Sequence, residues 1–160
     1  MAKLQKIVPN LWFDTEAEDA ANFYTSVFED SKILRVMHYG EAGPRPAGMV
    51  ITITFQLGGL EITALNGGPE FKFNEAISLL VNCDSQDEVD EFWEKLSEGG
   101  EKGPCGWLKD RFGLSWQVAP TILDKMIQDP DPEKANRVMA AMLQMQKIEI
   151  SELEAAYNGK

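Results

Sequence analysis

The stretch MVITITFQLGGLEITAL (49–65) decides how this chain is read. Met49, Ile51, Ile53, Phe55 and Leu57 alternate with smaller or polar residues, the period of a strand with one face on a core. Gly58-Gly59 supplies the positive backbone angles of a two-residue turn, and LEITAL (60–65) returns as the second arm of a hairpin. Before it, ILRVMHY (33–39) reads as a strand, joined to the hairpin by a loop from Gly40 to Gly48 that holds two prolines. Earlier still, KIVPNLWFD (6–14) reads as a short strand. Thr15 and Glu18 stand in capping-box spacing, and Ala17, Ala20, Ala21, Tyr24, Val27 and Phe28 follow at the period of a one-faced helix.

The same order then begins again, as a weak internal repeat. NEAISLLVN (74–82) reads as a strand, Ser85 and Glu88 as a second capping box, and Val89, Phe92, Trp93 and Leu96 as a helix stripe stopped by Gly99-Gly100. CGWLKD (105–110) and LSWQVA (114–119) are two extended runs joined through Arg111-Phe112-Gly113. Ala20, Phe23, Tyr24 and Val27 align with Val89, Phe92, Trp93 and Leu96, and Gly59-Leu60 with Gly113-Leu114. Each half is strand, helix, then two or three antiparallel strands. The expected fold class is α+β: paired βαβββ modules over residues 5–66 and 74–120, in a single domain of 1–160. Halves of this size are marginal alone, so a shared core is expected. Residues 121–160 read as a helical C-terminal extension: a short helix over 121–127, a turn at Asp129-Pro-Asp-Pro132 with Asp131 as N-cap, a Met-rich amphipathic helix, and a last helix opened by Ser151 and Glu154.

Composition removes whole classes of function. Fifteen Lys and Arg against 26 Asp and Glu give a net charge of −11, so neither nucleic acid nor an anionic membrane is an expected partner. One histidine, His38, rules out three-histidine zinc sites, the facial iron triad and HExxH chemistry. His38 reads as a partly exposed strand residue. MAKLQKIVPN has no apolar core of the length a secretory signal needs, and Cys83 and Cys105 do not form a disulfide framework. A cytoplasmic protein with two reduced thiols is expected.

The duplicated order, with the blocks NGGPEFKFNEAISLLVNC (66–83), CGWLKDRFGLSWQVAP (105–120) and DPDPEKANRVMAAMLQMQKIEI (129–150), resembles the PhnB-like branch of the vicinal oxygen chelate superfamily. That branch carries the label 3-demethylubiquinone-9 3-methyltransferase domain, and the wider group the label glyoxalase/bleomycin resistance/dioxygenase. The resemblance implies curved sheets forming a cleft, and a homodimer. Metal enzymes of the superfamily take ligands from the first and last strand of each module. The matching positions here are Pro9, or Asn10 if the register slips by one, Thr63, Ser78 and Gln117. None is a histidine or a carboxylate, whereas a transition metal needs three or four such donors, so no metal and no other cofactor is expected. The methyltransferase label is not matched by a Gly-rich loop after a parallel strand or by a βαβαβ run.

The expected site is therefore a metal-free cleft for a small molecule, made of Asn10, Trp12, Thr63, Ser78, Cys105, Trp107, Ser115 and Gln117. Trp107, Cys105 and Lys109 should share one face of their strand, and Ser115 and Gln117 one face of the next. If those faces coincide they make an aromatic wall with a few polar fixing groups. Trp93 reads as helix core, Asp110 and Arg111 as a surface pair, and the methionine helix as cover for the chain's own sheet or for a second subunit. The rival reading is an enzyme: a lyase, isomerase or dioxygenase of the superfamily type, or the methyltransferase of the label.

Overall fold

The computed structural model describes residues 4–160; the first three residues of the segment read as lacking a secretory signal lie outside it. The chain divides between Phe73 and Asn74 into two compact units. In the first, β1 (Asn10–Phe13), α1 (Ala17–Val27), β2 (Ser31–His38), β3 (Val50–Leu57) and β4 (Leu60–Asn66) form one helix on a four-stranded sheet of order β1-β4-β3-β2. β1 runs parallel to β4 and the other pairs are antiparallel. Gly58 and Gly59 have φ of 52° and 87°, the left-handed pair of the expected hairpin turn.

Alternation settles which face is buried. Leu11, Phe13, Ile53, Phe55, Ile62 and Ala64 meet Ala17, Ala20, Ala21, Tyr24 and Val27 of α1, all nearly inaccessible. Asn66 is in phase with Ile62 and Ala64 and only 2% exposed. Its Oδ1 accepts the Ala17 N–H at 2.8 Å and its Nδ2 donates to the Val50 carbonyl at 3.1 Å. This corrects the capping-box expectation at Thr15: the helix starts without a local side-chain cap, and a strand from the same unit satisfies its first N–H.

The second unit repeats the order with β5 (Ser78–Cys83), α2 (Gln86–Ser97), β6 (Glu101–Lys102), β7 (Trp107–Lys109) and β8 (Ser115–Pro120), arranged β5-β8-β7-β6 with β5 parallel to β8. The α+β reading of two βαβββ modules with helices following them therefore holds. The Ser85 cap is present: its hydroxyl accepts from Glu88 N at 3.2 Å, and the Glu88 carboxylate returns to Asp84 N at 2.6 Å. Val89, Trp93 and Leu96 of α2 are buried with Leu108, Trp116, Val118 and Cys83 of the sheet. Burial pushes the Cys83 thiol up to about 12, with Glu88 and Asp84 adding to the rise, so it is inert near neutrality.

Three helices follow: α3 (Thr121–Ile127), α4 (Pro132–Met142) and α5 (Ile150–Tyr157). Leu123, Met126, Val138, Met145, Ile148 and Leu153 make their common core. Asp131 caps α4 as expected, accepting from Glu133 N at 3.0 Å, with Pro132 in the first turn. Ser151 does not cap α5. The Ile150 N–H goes instead to Gln86 Oε1 at 2.7 Å, while Gln86 Nε2 donates to the Ile148 carbonyl. The helices are stitched to the sheet where β7 begins: Cys105 N donates to the Met145 carbonyl at 2.8 Å and Gly106 N to the Gln146 carbonyl at 2.7 Å. Gly106 has φ of 81°, and a Cβ there would lie 2.7 Å from the Val118 carbonyl oxygen, so only glycine fits.

Candidate functional site on the second sheet

One face of the second sheet is covered by α2. Register fixes what stands on the other. Trp107 is the cross-strand partner of Gln117 and Lys109 of Ser115, while Ser78 pairs with Ser115 and Leu80 with Gln117 across the parallel ladder. Directly opposed residues point to the same side, so the two faces singled out in the sequence coincide. Of the expected site residues, Ser78, Trp107, Ser115 and Gln117 stand on one face, and Cys105 lies at the mouth of β7. Gln117 Nε2 donates to Ser78 Oγ at 2.9 Å, which holds the amide side-on to the sheet and leaves Oε1 as an acceptor.

The helical extension turns this face into a recess of about 210 Å³. Leu80, Asn82, Trp107 and Gln117 form its floor; Leu123, Asp124 and Ile127 of α3 form a wall; Cys105 and Met142 close the rim. The sequence reading missed Leu80, Asn82 and the helical residues. Leu80 and Asn82 were findable by phase, since they follow Ser78 at intervals of two. A second recess of about 220 Å³ adjoins the first at Trp107, with Glu75, Glu101, Lys109 and Ser115 in its lining. The Ser115 hydroxyl is buried there and has no hydrogen-bond partner among the described residues. Lys109 Nζ pairs with Glu75 at 2.5 Å, and that hydrogen bond holds the ammonium above its ordinary pKa and the carboxyl below its own.

Asn10, Trp12 and Thr63 belong to the first unit, on the face of its sheet that α1 does not cover. Asn10 is the ladder partner of Thr63. Thr63 Oγ1 lies 3.1 Å from Thr54 Oγ1. Trp12 is laid over the chain that follows β4: its indole N–H donates to the Gly68 carbonyl at 2.8 Å, and Phe71 meets the ring edge-on at 4.9 Å. A Cβ on Gly67 would fall 2.4 Å from that ring.

Other candidates resolve into structural roles. His38 is exposed at the end of the edge strand β2. Asp14 pairs with Arg45 at 3.0 Å and Glu61 with Arg35 at 3.2 Å. Asp110 is not the surface residue expected: it is 2% exposed, and its Oδ1 accepts from Phe112 N and Leu114 N while Oδ2 accepts from the Trp116 indole at 2.8 Å. Trp116 is accordingly buried core, as is Trp93.

The fold family implies a metal held by the first and last strands of the modules, and the donor set does not fit one. Asn10, Thr63, Ser78 and Gln117 bring no charge. Thr63 is engaged with Thr54, and Gln117 with Ser78. Among the described residues, no group of three His, Cys, Asp or Glu is placed to hold an ion. Nor does either sheet have the doubly wound parallel order of the common adenosylmethionine enzymes. No helix among the described residues is long and apolar enough to cross a membrane.

These features agree with what the chain is similar to. The family described as 3-demethylubiquinone-9 3-methyltransferase matches residues 5–119, so α3 to α5 lie beyond the match. A putative 3-demethylubiquinone-9 3-methyltransferase, PhnB protein, from Bacillus cereus is 37% identical over 73% of this chain and 100% of its own, with a TM-score of 0.66. Protein PA1353 from Pseudomonas aeruginosa is 23% identical over 73% and 98%, with a TM-score of 0.60. The fosfomycin resistance protein FosX from Listeria monocytogenes shares the fold at 15% identity, covering 78% and 98%, with a TM-score of 0.52. Among curated proteins none matches. The repeated modules, the matched span and the Bacillus relative together place the chain: it belongs to the PhnB-like family described as 3-demethylubiquinone-9 3-methyltransferase, with the glyoxalase/bleomycin resistance fold.

Proposed function

We propose that the chain binds a small, partly apolar organic molecule on the open face of its second sheet, without a metal. The observation that carries this is the recess around Trp107, where an indole, Leu80, Leu123, Ile127 and Met142 surround the two amides Asn82 and Gln117. An apolar hollow with a few convergent polar groups is the usual make-up of a small-molecule site. The uncharged side chains at the family's metal positions support binding that needs no ion. Calorimetry with 2-naphthylmethanol, a flat apolar body with one hydroxyl, tests it. The wild-type chain gives saturable heat, and Trp107→Ala weakens binding about tenfold through loss of the aromatic wall. Heat that Trp107→Ala leaves unchanged contradicts this site.

The family description favours a second reading, methyl transfer. The same calorimeter separates the two, since no heat is expected with adenosylmethionine and micromolar binding would favour the methyltransferase.

We further propose a cytoplasmic homodimer. Cys83 and Cys105 are both unpaired, as a reducing compartment keeps them. The edge strand β2 exposes Leu34, Val36 and Met37 at 38%, 40% and 55%, apolar surface suited to a second copy. Light scattering should give the mass of two chains. A stable monomer contradicts the dimer.

A further inference from the structure

We propose that the ligand of this face is an organic cation, its flat apolar body lying against Trp107 and its ammonium turned toward Asp124. This deepens the reading above and rests on it.

The first argument is charge. On the two adjoining recesses the ladder places Glu101 opposite Lys109, and Lys109 opposite Ser115, all on the open face. Lys102 also lines the second recess, but its Nζ is bound to Glu94 at 2.7 Å. The charged residues of the two linings are Glu75, Glu101 and Asp124 against Lys102 and Lys109, and both lysines are already tied to carboxylates, Lys102 to Glu94 and Lys109 to Glu75. The surplus is negative on a chain of net charge −11. An anion entering here meets repulsion, and a cation is drawn in.

The second argument is the chemistry of the wall that α3 contributes. Asp124 is the one charged residue lining the Trp107 recess, and it makes no ion pair among the described residues. It faces the hollow from α3, among Leu123, Ile127 and Met142. A carboxylate bordering apolar surface, with an indole in the same hollow, suits a positive group that has both a counter-charge and a π face to meet. The third argument is donor and acceptor count. Gln117 has given one of its two N–H donors to Ser78, a bond that leaves its carbonyl oxygen as an acceptor, and the buried Ser115 hydroxyl next door has no hydrogen-bond partner among the described residues. Acceptors at the floor match a ligand that carries N–H donors.

Matched probes test this by calorimetry: 2-naphthylmethylammonium, 2-naphthylmethanol and 2-naphthoate, each at low and high salt. The ammonium should bind about fivefold tighter than the alcohol at low salt, with the naphthoate weakest and the advantage shrinking as salt rises. Asp124→Asn should erase that advantage, so that within this variant the ammonium and the alcohol bind equally and the salt dependence of the ammonium disappears. Trp107→Ala should weaken the ammonium and the alcohol together. Equal affinity for ammonium and alcohol, or an advantage that survives Asp124→Asn, overturns the cation assignment and leaves the site itself standing. If none of the probes binds in a manner that depends on Trp107, both the assignment and the site fall.

Discussion

Asp110→Ala should lower the stability of the protein by on the order of 4 kcal/mol, the largest effect expected of any single substitution here. Two backbone N–H groups and one indole N–H converge on this carboxylate, and the residue is almost inaccessible. Truncation leaves two buried donors and one half-buried donor without their acceptor, each buried one costing about 1–3 kcal/mol, and the costs overlap because the donors share one turn. Small domains are stable by about 5–15 kcal/mol, so a large part of the total is lost. Urea unfolding followed by circular dichroism should show the midpoint falling by about 2 M. Asp110→Asn should be less damaging, since its carbonyl can still accept both backbone N–H groups while its NH₂ group faces the Trp116 indole donor. A midpoint within experimental error of the wild type would mean that the turn between β7 and β8 does not depend on this residue. The turn also sets the register that brings Trp107 opposite Gln117, so the same substitution should weaken ligand binding.

Asn66→Ala should cost about 2–3 kcal/mol. The side chain joins three elements of the first unit: it caps α1 at Ala17, anchors the Val50 carbonyl at the start of β3, and closes β4. Alanine leaves a buried N–H and a buried carbonyl unpaired. Asn66→Asp keeps the acceptor at a helix N-terminus, where a negative charge is favoured, and loses only the donor to Val50. It should recover about half the loss. Thermal unfolding of the two variants checks both statements. Equal destabilisation by Ala and Asp would mean that the cap contributes nothing.

Those two residues also show how much the sequence disclosed. Strand alternation, the Gly58-Gly59 turn and the helix stripes carried the order of elements, because each depends on neighbours within one or two turns of chain. Ser85 and Asp131 cap α2 and α4 by local spacing, but the starts of α1 and α5 did not follow local rules. α1 and α5 are started by Asn66 and Gln86, distant amides that no spacing rule near Thr15 or Ser151 could reveal. A signal was nevertheless present. Asn66 is in phase with Ile62 and Ala64, and Asp110 with Leu108, so strand parity already placed two polar side chains on core faces, where they must find partners. β6, at two residues, is too short to have a period.

The candidate site divides in the same way. That Trp107 and Lys109 would stand with Ser115 and Gln117 required only the register of one hairpin, and the face did assemble. The hollow itself required α3 and α4 to dock beside the sheet, and that docking runs through backbone bonds from Cys105 and Gly106 to Met145 and Gln146. Backbone bonds between distant segments leave no mark in side-chain identity. Asp124, Ile127 and Met142 therefore entered the site only with the three-dimensional arrangement.

The most direct test of the account is a crystal of the protein soaked in 2-naphthylmethanol. It predicts the naphthalene ring lying along the Trp107 indole between Leu80 and Met142, with its hydroxyl within hydrogen-bonding distance of Gln117 and no ion between them. A hollow left empty at saturating probe, or a probe held elsewhere through a cation bound to Ser78 and Gln117, would contradict it.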